Sequence, residues 1–196
     1  MMKRALIGYG GHAKEVMYQI GEFFPCFVND EYVTEETFPL SKFDPDEFEV
    51  MIAIGDSLLR KKIVESLPKK TKFFTFIHPT SLISLDEVEI GPGSFVGAFS
   101  ILTTNIKIGS HCILNRSNHI GHDSVIGDFF SAMPGAIVSG NCIIGDNVYL
   151  GTNSTIKEKI KVSSNIIIGL NSGVVNDIKE PGIYGGVPAN KLKNKK

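Results

Sequence analysis

The sequence predicts two structural classes in one chain: a small α/β domain with a parallel sheet, then an all-β solenoid of short parallel strands. Two observations carry that expectation. Residues 1–80 alternate apolar runs with amphipathic stretches of helical spacing. From Ile83 onward the chain repeats every six residues without insertion.

In residues 1–80, Lys3–Gly8 reads as a short strand and Gly8-Tyr9-Gly10-Gly11-His12-Ala13 as a glycine-rich turn. Lys14–Phe24 has helical spacing through Val16, Ile20, Phe23 and Phe24. Phe24–Val28 reads as a second strand ending at Asn29-Asp30-Glu31. Residues 31–47, acidic and with two prolines, read as a loop with little order. Phe48–Ile54 is the next buried strand. Gly55-Asp56-Ser57 leads into an amphipathic helix over Leu58–Leu67, and Phe73–Ile77 is the last strand. Alternating strands and helices argue for a parallel sheet.

The second part divides into 16 hexads, from ISLDEV at Ile83 to GVVNDI ending at Ile178. The second hexad position is apolar in 15 of the 16, far beyond chance for a chain with 42% apolar residues. The third is glycine in eight. Neither a helix nor a hairpin has this period. It fits a coil in which one side chain per hexad points into a narrow core and small residues or glycine turn the corners with positive φ. Such coils stack at strand spacing, and stability comes from neighbouring coils.

Composition narrows the function. Lys plus Arg is 20 and Asp plus Glu 21, a net charge of −1. That argues against a nucleic-acid binder, which needs a basic excess. No apolar run is long enough to insert in a membrane, and the glycines from Gly8 onward interrupt any leader-like stretch. Cys26, Cys112 and Cys142 are widely spaced in apolar company, as expected of buried reduced thiols in a cytoplasmic protein.

Gly8-x-Gly10-x-x-Ala13 fits a dinucleotide fingerprint, with Asp30 about 20 residues on. Residues 1–80 are too few for both mononucleotide halves. The loop suits one nucleotide diphosphate, held by backbone N–H groups and a helix N-terminus; a tight turn without ligand is the alternative. Ile54-Gly55-Asp56-Ser57, with Arg60 one turn in, adds a second polar rim. Among the histidines, His78 reads as a turn residue. His111 falls at a fifth hexad position, where a surface polar residue is ordinary. His119 and His122 share the hexad HIGHDS. His111, His119 and His122 occupy different hexad positions, which does not suit the convergent ligands zinc requires, so no metal is expected. For His122 a structural role, a metal and a general base are the readings weighed.

GYGGHAKEV, FVND, IAIGDSLLRKKI, FIHPTSLIS, SNHIGHDSVIGD and YGGVPANKLK occur in this order. Together with the hexads they resemble the hexapeptide-repeat sugar-nucleotide N-acetyltransferases, of the bacillosamine-pathway (PglD) and GDP-perosamine types. The resemblance implies a Rossmann-like nucleotide-sugar domain over 1–80, a left-handed parallel β-helix over 81–178 with three hexads per coil, and a basic tail over 179–196. It implies acetyl transfer from acetyl-CoA to the amine of a nucleotide-linked 4-amino-4,6-dideoxy sugar, in a cytoplasmic homotrimer serving glycan or lipopolysaccharide synthesis. His122 would be the base, supported by Asp123. Gly10, Gly11 and His12 would meet the pyrophosphate. Asp30, Gly55, Asp56, Ser57 and Arg60 would form the nucleotide pocket, and Asn115 would line the sugar pocket. Acetyl-CoA would run past Ser131, Gly140, Gly151, Thr152, Gly169 and Leu170, with Pro188 closing over it; backbone N–H groups near Ala136 would meet the oxyanion. Two departures stand out: Asn29-Asp30 where the family often has two acids, and Ser131 where it often has a second histidine. The rival readings are an O-acetyltransferase for a small acceptor without a nucleotide, and a non-catalytic or γ-carbonic-anhydrase-like hexapeptide protein.

Overall fold

The computed structural model describes residues 2–84 and 86–193. The lysine-rich end of the basic tail, 194–196, lies outside the described residues.

The first domain contains β1 (Lys3–Ile7), α1 (Gly11–Ile20), β2 (Cys26–Val28), β3 (Phe38–Pro39), β4 (Phe48–Ile52), α2 (Ser57–Ser66) and β5 (Lys72–Phe73). The sheet order is β3-β2-β1-β4-β5, all parallel. Ala5, Leu6 and Ile7 face Val50, Met51 and Ile52 across the central pair, and all six are essentially inaccessible. Burying each aliphatic side chain of this kind contributes about 1.5–3 kcal/mol. Gly21 ends α1 in a left-handed conformation, φ 75°, and its N–H caps the Met17 carbonyl.

The segment 31–47 is more ordered than its composition suggests. Two 3-10 turns, Asp30–Tyr32 and Leu40–Lys42, flank β3, which extends the sheet. Phe27 packs on Phe38, Phe43 and Phe48 and pins the segment down. Phe73–Ile77 is two strands rather than one. Lys72–Phe73 closes the α/β sheet, whereas Phe76–Ile77 pairs with Phe95–Val96 and opens the solenoid.

The solenoid has three faces of parallel strands. The first begins at Phe76–Ile77 and Phe95–Val96, the second at Leu82–Ile83 and the third at Val88–Ile90; successive partners on each face lie one coil apart. Gly182–Gly185 continues the first face beyond the last hexad. Each hexad after the first sends two side chains inward, not one. The second position is joined by the sixth, and all 16 sixth positions from Val88 to Ile178 are buried. At Ser94, Ser100 and Ser124 the next coil satisfies the sixth-position hydroxyl: Ser100 Oγ donates to the Asn115 carbonyl (3.1 Å) and accepts from the Asn118 N–H (3.3 Å).

Two backbone constraints set the corner sequence. Positive φ falls at the fifth hexad position and is mostly occupied by non-glycine residues, with asparagine frequent: Asn105, His111, Ser117, Asp123 and Asn141 lie between 53° and 59°. Asparagine tolerates this region better than most residues. The third-position glycines have ordinary φ, and all but Gly169 are required for clearance instead. A Cβ on Gly91 would sit 2.6 Å from the Gly109 carbonyl carbon, and one on Gly151 2.6 Å from the Leu170 nitrogen, in the coil above.

Gly91→Ala is therefore expected to destabilise the fold by about 1–3 kcal/mol through overpacking. Lys159→Gly, at φ 65°, should be neutral or stabilising by up to about 1 kcal/mol. Chemical denaturation of the two variants checks both signs.

Candidate active site

The carboxyl ends of β1, β2 and β4 open onto a cavity of about 470 Å³ lined by Gly8, Tyr9, Gly10, Gly11, His12, Asn29, Tyr32 and Gly55, among others. It lies where the strand order reverses, the usual ligand crevice of an open parallel sheet. Gly8 has φ +108°, and a Cβ there would lie 2.8 Å from Ile54 Cγ1. Gly10 and Gly11 border open space. Gly10 precedes α1 without a side-chain cap, leaving the first-turn N–H groups to the cavity.

His12 is held edge-on to Phe95, ring centroids 6.0 Å apart. Its Nε2 is buried and has no partner among the described residues. Burial, then the charge of Arg60, lowers its pKa to about 4 against the opposing pull of Glu15. The ring is thus neutral near pH 7.

Several expected ligand residues do other work. Arg60 is fully buried and does not reach the cavity. Its Nε donates to the His111 carbonyl (2.9 Å), Nη1 to those of Ile54 (2.7 Å) and Gly55 (3.2 Å), and Nη2 to the Phe129 carbonyl (3.0 Å) and Ser131 Oγ (2.8 Å). It is a strut between the domains, and the same bond buries Ser131 away from any acetyl-CoA track. Asn115 is also buried. It faces the first domain, donating to Glu15 (3.3 Å), while Arg116 pairs with the same carboxylate (2.6 Å). Asp30 turns from the cavity to accept from Ser41 Oγ (2.5 Å) and N–H (3.1 Å), bonds that lower its pKa; Asn29 and Tyr32 take its place on the wall. Asp56 caps α2, accepting from the Leu59 N–H (2.8 Å). Gly55, Asp56 and Ser57 line a second cavity of about 450 Å³ against Met133, Asn147 and Tyr149. His111 is not a surface residue either. It is buried, stacked on Phe129 at 5.2 Å and edge-on to Phe73, and burial followed by Arg60 lowers its pKa to about 4.

His122 and Asp123 occupy the vertex between the second and third faces. His122 Nδ1 lies 2.6 Å from Asp123 Oδ2, and Asn105 Nδ2 donates to Asp123 Oδ1 at 2.6 Å. These bonds hold the Asp123 carboxyl below its ordinary pKa, the one from His122 first. Asn105 escapes a linear reading, yet it occupies the same hexad position as Asp123, one coil below. The other edge of the His122 ring faces Gly140: a Cβ there would lie 2.7 Å from Nε2. That Nε2 is therefore bordered by a bare backbone. Of the remaining track residues, Gly151 is packed against the next coil. Thr152, Leu170 and Pro188 are exposed and Gly169 is half-buried, all near the vertex between the first and second faces.

The first domain docks on the first face and both its vertices, through Phe95, Arg116 and the Arg60 contacts. His122 stands on the opposite vertex. One chain thus does not bring the cavity and His122 together. Among the described residues no three His, Cys, Asp or Glu side chains gather as a metal site requires, and no helix is long and apolar enough to cross a membrane. Cys26, Cys112 and Cys142 are buried free thiols.

Residues 3–67 match the PglD N-terminal domain, and residues 119–158 match the bacterial transferase hexapeptide (six repeats). GDP-perosamine N-acetyltransferase of Escherichia coli O157:H7 is 33% identical over 110 residues; the match covers 56% of this chain and about half (49%) of that protein. The acetyltransferase domain of PglB from Neisseria gonorrhoeae FA1090, solved with acetyl coenzyme A, has a TM-score of 0.86 at 27% identity, covering 98% of this chain and 100% of that one. PerB from Caulobacter crescentus gives a TM-score of 0.87 at 24% identity, over 98% of each chain, and supports the fold. The solenoid is the left-handed parallel β-helix of hexapeptide transferases.

His12 and His111, with folded pKa values near 4, must gain protons to unfold below pH 6.5. The unfolded chain binds more protons between about pH 4 and 6.5, so stability rises with pH across that window and is lost as pH falls through it. Each histidine accounts for at most about 3 kcal/mol. Denaturant unfolding from pH 7 to 4 should show the decline, and His111→Phe should flatten it.

Proposed function

We propose that this chain, which belongs to the hexapeptide-repeat transferases carrying a PglD N-terminal domain, moves an acetyl group from acetyl-CoA to the amine of a nucleotide-linked 4-amino-4,6-dideoxy sugar. The observation that carries the reading is the His122–Asp123 pair beside the Gly140 backbone, in a chain whose other domain presents a glycine-walled cavity. The acetyl-CoA bound to the related PglB domain and the acceptor in the name of the E. coli relative support the two substrates.

Asp123 accepts the Nδ1–H of His122, which selects the tautomer with a lone pair on Nε2. Nε2 takes a proton from the attacking amine as its nitrogen bonds to the thioester carbon. The C–S bond then breaks, and the thiolate recovers the proton from the imidazolium. The Ala136 N–H is unsuited to the oxyanion because it donates to the Met133 carbonyl (3.1 Å). The Gly140 N–H, beside Nε2, donates to no group among the described residues and is better placed.

The cavity and His122 lie on opposite sides of the solenoid, so the acceptor held by one copy meets His122 of another. The acetyl-CoA residues divide the same way: Gly140 shares the His122 vertex, whereas Thr152, Gly169 and Leu170 lie at another. A homotrimer in which each copy lends a different vertex to each site satisfies both divisions, with the acetyl-CoA arm between copies.

His122→Ala should reduce kcat by about 10²- to 10⁴-fold with unchanged thermal stability, read as thiol release with UDP-, dTDP- and GDP-linked amino sugars. Near-normal turnover would remove His122 from the chemistry. Unfolding and refolding His122→Ala together with a variant blocked at the cavity, Gly11→Trp, should restore activity neither has alone. No recovery in the mixed assemblies would place both halves of the site in one chain.

A further inference from the structure

Among the described residues Arg60 is the largest fully buried side chain, and no carboxylate forms an ion pair with it. A guanidinium in such a place is costly unless its donors are used. Two of its hydrogen bonds concern the cavity wall. Nη1 takes the carbonyl of Ile54 at 2.7 Å and that of Gly55 at 3.2 Å, and both residues line the cavity. Arg60 itself does not; it lies behind the wall, tied to the solenoid through His111, Phe129 and Ser131.

The two peptides are trans. In a trans peptide the C=O and N–H vectors are antiparallel. Carbonyls drawn back toward Arg60 therefore turn the N–H groups of Gly55 and Asp56 away from it; Gly55 lines the cavity, and Asp56 follows on the rim that Gly55 shares with the second cavity. Neither N–H donates to a backbone or side-chain acceptor among the described residues. Two withdrawn carbonyls and two free N–H groups make that wall attractive to an anion, and Gly55 adds no side chain to obstruct it.

We infer that Arg60 is a positioning residue that makes the Ile54–Asp56 turn an anion-binding wall for the diphosphate of the nucleotide, opposite the Gly10–Gly11 turn. This rests on the nucleotide-sugar reading of the cavity. It assigns the diphosphate a second set of backbone donors, held by a side chain that never touches it. The buried cation behind the wall acts in the same direction, and His12 on the far side of the cavity already feels its charge.

The test uses the intact chain. UDP, dTDP and GDP, each with its parent nucleoside, are titrated by calorimetry and by amide NMR. With the diphosphate that binds, the Gly55 and Asp56 amide protons should move downfield, and with its nucleoside they should not. Arg60→Met should weaken the diphosphate by about ten- to hundred-fold, the range of a hydrogen bond to a charged group, and the nucleoside by less than about three-fold. Arg60→Lys, which keeps a cation but not the fork, should fall between. Silence at Gly55 and Asp56 while Gly10 and Gly11 respond would overturn the inference and leave the nucleotide reading standing. So would an equal loss for diphosphate and nucleoside in Arg60→Lys or Arg60→Met, the mark of a merely structural residue. Binding of none of the three diphosphates by the unmodified chain would overturn the nucleotide reading itself. The NMR arm needs no variant, so a poorly folding Arg60→Met does not spare the idea.

Discussion

Contact between successive coils governs the rest of the molecule. Strands on each face bond only to the strands above and below, and the coils meet closely enough that a Cβ at most of the third-position glycines would overlap the next coil. The glycines, the left-handed fifth position and the buried sixth-position serines answer one demand: every turn must repeat the last without a gap or a loose polar group. Because the repeat is strict, a side chain at a given hexad position always emerges at the same vertex of every third hexad. That regularity brings Asn105 beneath Asp123 and sets the His122 ring against Gly140.

The domain junction follows a different logic. It is polar and specific, with Arg60 collecting carbonyls from both domains, Glu15 gripping Asn115 and Arg116, and Gln19 Oε1 accepting from the Ala98 N–H at 2.8 Å. Phe95 connects the two cores, since it belongs to a coil strand yet packs with Leu6, Ala13 and Val16. Buried groups that must find particular partners define one docking geometry, where a purely apolar surface would allow several.

The fold is legible in the sequence because periodicity reports on whole elements. Apolar second positions in phase announce a solenoid whatever the other residues do. The His122–Asp123 pair is legible because its partners are adjacent in sequence. Arg60, Asn115 and Ser131 mislead for the opposite reason. A polar residue near a glycine turn looks like a ligand until its long-range partners are known, and those of Arg60 lie 51 to 71 residues away. The corner glycines suggest the wrong physics, since clearance between coils and positive φ both select small residues. Only backbone geometry separates them. His111 looks ordinary because part of its burial comes from Phe73, in another domain.

A stack of identical turns is also a ruler, graduated in steps of about 4.8 Å, the spacing of neighbouring strands. The docked domain spans three successive graduations through Phe95, Arg116 and Phe129, and His122 stands among the same coils on the far vertex. Lengthening the C-terminal end by whole coils leaves that relation untouched and extends only the flank beyond it. Inserting or removing one whole coil below His122, within the docked coils, would move the base one graduation along the axis without changing the direction in which it points. Any change that is not a whole number of coils would rotate it onto another face. Chains of this architecture can therefore vary in height far more freely above the docking level than within it.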